Sequence, residues 1–147
     1  VCRILKIKKD NIEFVYPTVG GCLVGFWTYT KFISKSEFTA LLVGDRKNRS
    51  RSLTVTPNAF DSADYTVRNE DKGTTYRVET YQEYMNCTCK DYENLSHDFN
   101  SHQVSCKHIY AVLNTLGYTN LREYIEGDKI RYQPSEYGLT EMAQGHY

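Results

Sequence analysis

The sequence lacks any long apolar run, and this absence argues against a membrane-spanning helix. The longest apolar candidate, residues 20–26, is interrupted by glycines and falls short of the roughly 20 residues that cross a bilayer. The chain does not open with a basic segment followed by an apolar one, so we expect no secretory signal. Neither a solenoid-length repeat nor a low-complexity stretch occurs. We therefore expect a folded protein of the cytoplasm, or of the nucleus in a eukaryote, without a membrane partner.

The chain as a whole has no net charge, but its two parts carry opposite charges. Lys and Arg together number 18, as do Asp and Glu, so a uniformly basic nucleic-acid coat is excluded. Residues 1–52, however, hold ten basic and four acidic side chains, a net charge of +6, which leaves −6 on residues 53–147. The basic end suits phosphates or an acidic protein, although charges that only keep the surface solvated are the simpler explanation.

Composition excludes disorder and disfavours a disulfide framework. Hydrophobic residues make up 40% of the chain and 13 residues are Tyr, whereas disordered chains are poor in aromatics. A chain of 147 residues can bury a core without disulfides. Five cysteines is an odd number, which favours reduced thiols and metal ligation.

Catalytic motifs are also missing. The chain has no nucleophile elbow, no P-loop and no dinucleotide-binding glycine pattern. Two acidic pairs could be read as a magnesium nuclease site, Asp61 with Asp64 and Glu70 with Asp71, but turns explain both more simply. We expect a protein that is not an enzyme and has no small-molecule substrate.

Alternating polar and apolar residues predict β-strands along much of the chain. Residues 4–8 and 12–16 are expected to form two strands around a tight polar turn. Further strands are expected within residues 22–32 and over residues 53–56, 65–68, 74–80 and 84–86. A turn with Gly73 at positive φ joins two of them.

Helical signals are fewer. A capping box at Ser34 and Glu37 predicts a helix over about 35–43, ended by Gly44. Another short helix begins near Asn120, and a third is expected after the cysteine cluster described next. The expected fold class is therefore α+β: a small antiparallel sheet with two or three short helices.

Four residues have the spacing of a metal site. They are Cys87 and Cys89, then, after sixteen intervening residues, Cys106 and His108. Two cysteines separated by one residue can face one ion if the backbone leaves regular strand geometry between them. The second pair lies where a helix begins, and a helix N-terminus favours a thiolate. Unrelated buried cysteines beside a surface histidine are the alternative.

The helix that follows the second pair is amphipathic. Ser105 is the expected N-cap, and Gly117 is the expected end. One face carries apolar residues at helical spacing, namely Ile109, Val112, Leu113 and Leu116.

Three cysteines and one histidine fill a tetrahedral Zn²⁺ shell and leave no protein position open, so the site should be structural. Its metal would fix the hairpin to the helix and contribute folding free energy. His97 and His102 lie between the two ligand pairs. Either could replace His108 or bind a second ion, but the intervening segment, residues 90–105, is more simply an exposed polar loop.

The pattern Cys-x-Cys, a variable gap and Cys-x-His before an apolar helix resembles the SWIM zinc finger. The resemblance covers about residues 53–117, with Tyr76–Val78 before the first pair and Lys90–Tyr92 after it. It implies a β-hairpin and helix held by zinc, and the family's general role of binding DNA or proteins within larger assemblies. The family carries no single activity.

The densest basic segment is Asp45–Ser52, a predicted polar connector. Its four cations are the candidate nucleic-acid-binding residues: Arg46, Lys47, Arg49 and Arg51. Cations in a loop can pair with phosphates and make affinity salt-dependent. Nearby aromatic side chains could stack on bases if they face the same way: Trp27, Tyr29 and Phe32. A solvated basic turn above an aromatic core is the alternative.

These observations divide the chain into a basic β-rich part (1–52), a SWIM-like zinc module (53–117) and a short helix with a C-terminal arm (118–147), expected to form one compact domain. Residues 130–147 are expected to be an extended arm or flexible tail. The leading function is a zinc-binding, non-enzymatic module that attaches to nucleic acid, DNA rather than RNA, within a larger complex. The alternative is a protein-interaction or assembly subunit that uses the acidic half and the arm, with a purely structural zinc.

Overall fold

The computed structural model describes residues 5–131. The chain divides into two compact units, Val1–Leu53 and Thr54–Tyr147. Each unit contains one antiparallel sheet, of three and four strands respectively, and the described residues include four α-helices. The expected α+β fold class is therefore confirmed. Within the described residues, no helix combines the length and apolarity that crossing a membrane requires.

The N-terminal unit is a three-stranded meander followed by one helix. A short 3-10 helix at Lys9–Asn11 precedes the strands. The regular elements that follow are β1 (Ile12–Thr18), β2 (Gly21–Phe26), β3 (Thr30–Ser34) and α1 (Lys35–Ser50). Helix α1 contacts β2 and β3. Val24 and Ile33, on these two strands, are completely buried.

The first predicted hairpin is wrong. Residues 5–8 form no strand, and the 3-10 helix occupies the position of the expected tight turn. Strand β1 instead pairs with β2, where Val15 lies opposite Val24. Lys6 adopts a left-handed conformation (φ 56°), which interrupts the extended backbone that alternation alone would predict.

Helix α1 begins as predicted but is longer. The Ser34 hydroxyl accepts a hydrogen bond from the Glu37 amide at 3.1 Å, as the capping signal indicated. Gly44 does not end the helix, so the expected basic connector is helical. A glycine within a helix costs only about 1 kcal/mol relative to alanine, and side-chain burial can outweigh that cost. Arg46 is buried in the following turn.

The C-terminal unit has a four-stranded sheet and three helices. Its strands are β4 (Thr54–Pro57), β5 (Asp64–Asn69), β6 (Thr74–Thr80) and β7 (Met85–Cys87). Its helices are α2 (Lys90–Asp98), α3 (Lys107–Leu116) and α4 (Leu121–Arg131). The strands lie in chain order, each antiparallel to the next. The predicted strands of this half are thus confirmed to within a few residues.

Helix α3 packs across all four strands and forms the centre of this unit. Ile109, Val112 and Leu113 are completely buried, as are Val67 and Val78 on the sheet. Leu116, expected on the same face, is more exposed because it lies in the last turn.

Glycine and side-chain caps at the ends of these elements behave as predicted. Gly73 has φ 63° in the β5–β6 turn, and Gly117 has φ 85° at the end of α3. The Asn120 side chain accepts a hydrogen bond from the Glu123 amide at 3.0 Å at the start of α4. The Tyr124 hydroxyl then donates to the Tyr81 carbonyl at 3.0 Å, which holds α4 to the chain after β6. The predicted C-terminal arm lies almost wholly outside the described residues.

Candidate metal centre

The first ligand pair lies where strand β7 passes into helix α2. Cys87 is the last residue of β7, and Cys89 is the N-cap of α2. Thr88 between them is held to Arg77 of β6, since its amide donates to the Arg77 carbonyl and its hydroxyl accepts from the Arg77 amide, both at 3.1 Å. The backbone therefore leaves strand geometry at Thr88, as the Cys-x-Cys spacing required.

The second pair lies at the start of α3. Cys106 is the N-cap of this helix, so the predicted Ser105 cap is wrong by one residue. The sulfur of Cys89 accepts a hydrogen bond from the Tyr92 amide at 3.4 Å. Two helix N-termini thus supply one cysteine each, and the positive end of a helix dipole stabilises a thiolate.

Sheet register brings β6 against the same site. Cys87 lies opposite Val78, and Tyr76, two residues earlier on β6, shares that face. The Tyr76 ring accordingly lies 4.4 Å from the His108 ring, centroid to centroid.

The four side chains converge on one point. Cys87, Cys89, Cys106 and His108 are all buried, and their ligand atoms all lie within 4.8 Å of one another. His108 Nδ1 is 3.7 Å from the Cys87 sulfur and 3.8 Å from the Cys106 sulfur. A tetrahedral Zn²⁺ with ordinary bond lengths places nitrogen and sulfur about 3.6 Å apart, so these distances fit one shared ion.

The orientation of the His108 imidazole also fits one shared ion. Its Nδ1 faces the sulfurs, whereas its Nε2 is buried and has no hydrogen-bond partner among the described residues. An imidazole that binds a metal through Nδ1 carries its proton on Nε2. The structure therefore points to Nδ1 as the ligand atom.

The thiols are electrostatically coupled. Hydrogen bonds from Cys106 and Cys87 hold the pKa of Cys89 far below its ordinary value. Hydrogen bonds with Cys87 and Cys89, together with burial, raise the pKa of Cys106. Protein groups alone thus favour one thiolate that accepts from its neighbours, and three thiolates together need a cation between them.

His97 and His102, the alternative ligands, are not part of this cluster. His97 is exposed beside Asp98, with its Nδ1 3.4 Å from that carboxylate. His102 lies against the Tyr84 ring, 5.5 Å between centroids, and near the Tyr92 hydroxyl. Among the described residues, the grouped side chains of metal-binding type are the two predicted pairs.

Helix α2 is the element that sequence reasoning missed, because residues 90–105 were expected to form an exposed loop. Two acidic residues in its first turn, Asp91 and Glu93, are a signal for a helix N-terminus. Tyr92 is buried beside the cluster, so this helix helps to enclose the site. The polar composition of the segment obscured this single buried aromatic.

The candidate basic residues lie at the end of α1 and just beyond it. Arg46 is only 7% exposed. Lys47 and Arg49 are partly buried, and a guanidinium nitrogen of Arg49 lies 3.6 Å from an Asp45 carboxylate oxygen. Arg51 is exposed. The four cations therefore differ strongly in their access to a ligand.

The candidate stacking residues are all exposed. Trp27, Tyr29 and Phe32 expose 76%, 58% and 51% of their surface. The alternative reading, in which they form an aromatic core beneath the basic segment, is therefore wrong. The buried residues of β2 and β3 are aliphatic.

Three of the four residues in the acidic pairs have structural partners, namely Asp61, Asp64 and Glu70. Asp64 accepts from Arg77 Nε at 2.8 Å and from the Asn58 side-chain amide at 2.9 Å. Asp61 accepts from the Ala63 amide, and Glu70 pairs with Arg68 at 3.0 Å.

No family model, curated protein or solved structure matches the chain significantly. The class of protein therefore follows from the fold and the site. The chain is an α+β protein with a buried Cys3His cluster that could bind a metal ion, consistent with a zinc finger.

Proposed function

We propose that the C-terminal unit is a SWIM-type module with a structural Zn²⁺, and that the chain is a non-enzymatic nucleic-acid-binding protein that acts within a larger complex. The zinc assignment is supported by the donor set, because three thiolates and one imidazole suit tetrahedral Zn²⁺ and fill its coordination shell. The SWIM assignment is supported by the order of elements, in which a hairpin precedes Cys-x-Cys and an apolar helix follows Cys-x-His.

One observation carries the nucleic-acid proposal: the change of charge along the chain coincides with the boundary between the units. The unit that ends at Leu53 carries a net charge of +6, and the unit that begins at Thr54 carries −6. A cationic unit attracts phosphates and releases their counterions. The acidic unit then contains the metal site and does not attract the same phosphates.

The test is binding of zinc-loaded full-length protein to labelled DNA and RNA over a range of salt concentrations. The triple variant Lys47→Gln, Arg49→Gln and Arg51→Gln should weaken binding and lower the salt slope by up to about 3, because each lost phosphate contact contributes about 0.9. Arg46 is left in place because it is buried.

A matched control removes three exposed cations of the C-terminal unit, Lys72→Gln, Lys90→Gln and Arg122→Gln. Both triple variants lower the net charge by the same amount. A difference in affinity between them therefore shows that the position of the cations matters. Equal loss in both would show a general charge effect. Wild-type protein that binds no nucleic acid even at low salt would favour the assembly-subunit alternative.

A further inference from the structure

The three-stranded sheet has one face that helix α1 does not cover. In an antiparallel sheet, directly opposite residues project to the same side. The pairs Val15 with Val24 and Cys22 with Ile33 define the side on which Val24 and Ile33 are buried. Residues in the intervening rows must project to the other side.

Aromatic side chains occupy that other side. Tyr16, Leu23 and Phe32 lie opposite one another across the three strands, and Phe14 lies opposite Gly25 on the same side. Tyr16 is 65% exposed, and Phe14 and Phe32 are also exposed. We call Phe14, Tyr16 and Phe32 the aromatic face.

Gly25 lets the ring of Phe14 approach the sheet closely. A Cβ at position 25 would collide with the ring of Phe14, so the ring lies directly on the glycine backbone. The glycine is itself buried under the ring. A flat exposed ring supported by backbone is suited to stacking rather than to filling a core.

Two further aromatics at the β2–β3 turn have restrained positions. The Trp27 indole nitrogen donates to the Asp10 carbonyl at 3.2 Å, although the residue stays largely exposed. Tyr29 stacks on Phe26 with ring centroids 4.5 Å apart and an interplanar angle of 21°. Holding exposed rings in place reduces the entropy lost when a ligand stacks on them.

Two lysines lie near Trp27. The hydrogen bond from Trp27 brings the indole to the 3-10 helix at Lys9–Asn11, next to the exposed Lys8 and Lys9. The unit as a whole carries +6. An anionic ligand that can stack on aromatic rings suits this combination of charge and exposed rings.

We propose that the aromatic face and Trp27 bind the unpaired bases of a single-stranded nucleic acid, while Lys8 and Lys9 pair with its phosphates. This inference rests on the proposed function and gives it a substrate class. Bases in a duplex are already stacked and paired, so their faces are not accessible, whereas those of a single strand are. Stacking tolerates any base, so the preference is for strandedness rather than sequence.

The test uses the chain's single tryptophan. Zinc-loaded full-length protein is titrated with mixed-sequence single strands, as DNA and as RNA, and with the corresponding DNA duplex. Single strands should quench Trp27 fluorescence and bind more tightly than the duplex. Tyr16→Ala and Phe32→Ala should each weaken single-strand binding about 5- to 150-fold, the range found for loss of one stacking ring.

Matched controls are Phe60→Ala and Phe99→Ala, which remove exposed aromatics of the C-terminal unit and should leave affinity unchanged. Because all four side chains are exposed, the variants should fold, and circular dichroism checks this. Duplex binding as tight as single-strand binding, unaffected by Tyr16→Ala and Phe32→Ala but weakened by the Lys47, Arg49 and Arg51 variant, would overturn this inference and leave the proposed function standing. Absence of any binding at low salt would overturn both.

Sedimentation of the protein alone adds a last outcome. A dimer that dissociates on Tyr16→Ala or Phe32→Ala would identify the ligand of the aromatic face as a second copy of the chain, and would also overturn the inference.

Discussion

The two units differ in how many of their aromatic side chains they bury, although the C-terminal unit also exposes Phe60, Tyr81 and Phe99. In the C-terminal unit Tyr65, Tyr92, Tyr110 and Tyr124 are buried. In the described part of the N-terminal unit the large rings of the sheet and its turn are mostly exposed: Phe14, Tyr16, Trp27, Tyr29 and Phe32. Burying a ring stabilises a fold, whereas leaving several on one surface forgoes that stabilisation. The contrast agrees with the proposed function, in which the N-terminal unit contacts the ligand.

The candidate metal centre adds to this contrast. It joins β7 and the starts of α2 and α3, the elements around the larger core. Structural Zn²⁺ contributes about 10–16 kcal/mol in small zinc peptides at neutral pH. The N-terminal unit has no comparable cluster among its described residues, and its fold depends on a small aliphatic core.

The largest effect should come from a metal ligand. Cys106→Ala should abolish stoichiometric zinc binding and unfold the C-terminal unit, because it removes a completely buried ligand that begins α3. Plasma emission spectrometry of the purified protein measures zinc, and amide NMR spectra report each unit separately. Amide signals of residues 5–53 should remain dispersed.

Cys22→Ala is the matched control, since Cys22 lies in the N-terminal unit and outside the Cys3His cluster. It should keep full zinc content and destabilise the protein far less than Cys106→Ala does. If Cys106→Ala also kept its zinc, the metal assignment would be wrong. Collapse of both units in Cys106→Ala would show that they fold as one.

A smaller effect is expected from the core of the N-terminal unit. Ile33→Ala removes a completely buried side chain and should destabilise that unit by about 2–5 kcal/mol, with zinc content unchanged. Urea unfolding followed by Trp27 fluorescence measures the loss. Leu41→Ala, at an exposed position of α1, should cost much less. Comparable losses in both variants would mean that the sheet–helix interface is not the core of this unit.

The smallest effect concerns Asp64 in the C-terminal unit. The hydrogen bond from Arg77, helped by one from Asn58, holds the pKa of the Asp64 carboxyl below its ordinary value of 3.8. A carboxyl with a depressed folded-state pKa adds stability above its unfolded pKa, and that stability disappears as pH falls through the folded pKa. Arg77→Gln should raise the pKa of Asp64 toward the ordinary value, measured by NMR titration. An unchanged titration would rule out Arg77 as the cause.

Local spacing in the sequence was sufficient to predict the four candidate ligands. It was not sufficient to predict the helices and strands around them. The Cys-x-Cys and Cys-x-His pairs were predictable because their chemistry needs only neighbouring residues in the sequence. Helix α2 was not, because one buried tyrosine in an otherwise polar segment gives too weak an apolar pattern to predict a helix. The prediction of a strand at residues 4–8 was wrong because alternation does not reveal whether a partner strand exists.

The exposure of the aromatic residues is the other case that sequence could not decide. β-Propensity correctly placed Phe32 in a strand, whereas Trp27 and Tyr29 lie in the turn between β2 and β3. The same propensity also fits either face of a sheet. Similarly, the charge pattern located four cations near the end of α1 without revealing that Arg46 is buried. A one-residue change of register would have reversed the exposed and buried sets.

The sequence by itself determined the candidate metal ligands, the α+β class and the separation of charge at the boundary between the units, because these follow from residue type, period and order. The tertiary structure alone decided that two helix N-termini meet at the cysteines, and that one sheet face presents aromatic rings to solvent. Both depend on which distant segments pack together, and packing is a property of the whole chain rather than of any local pattern.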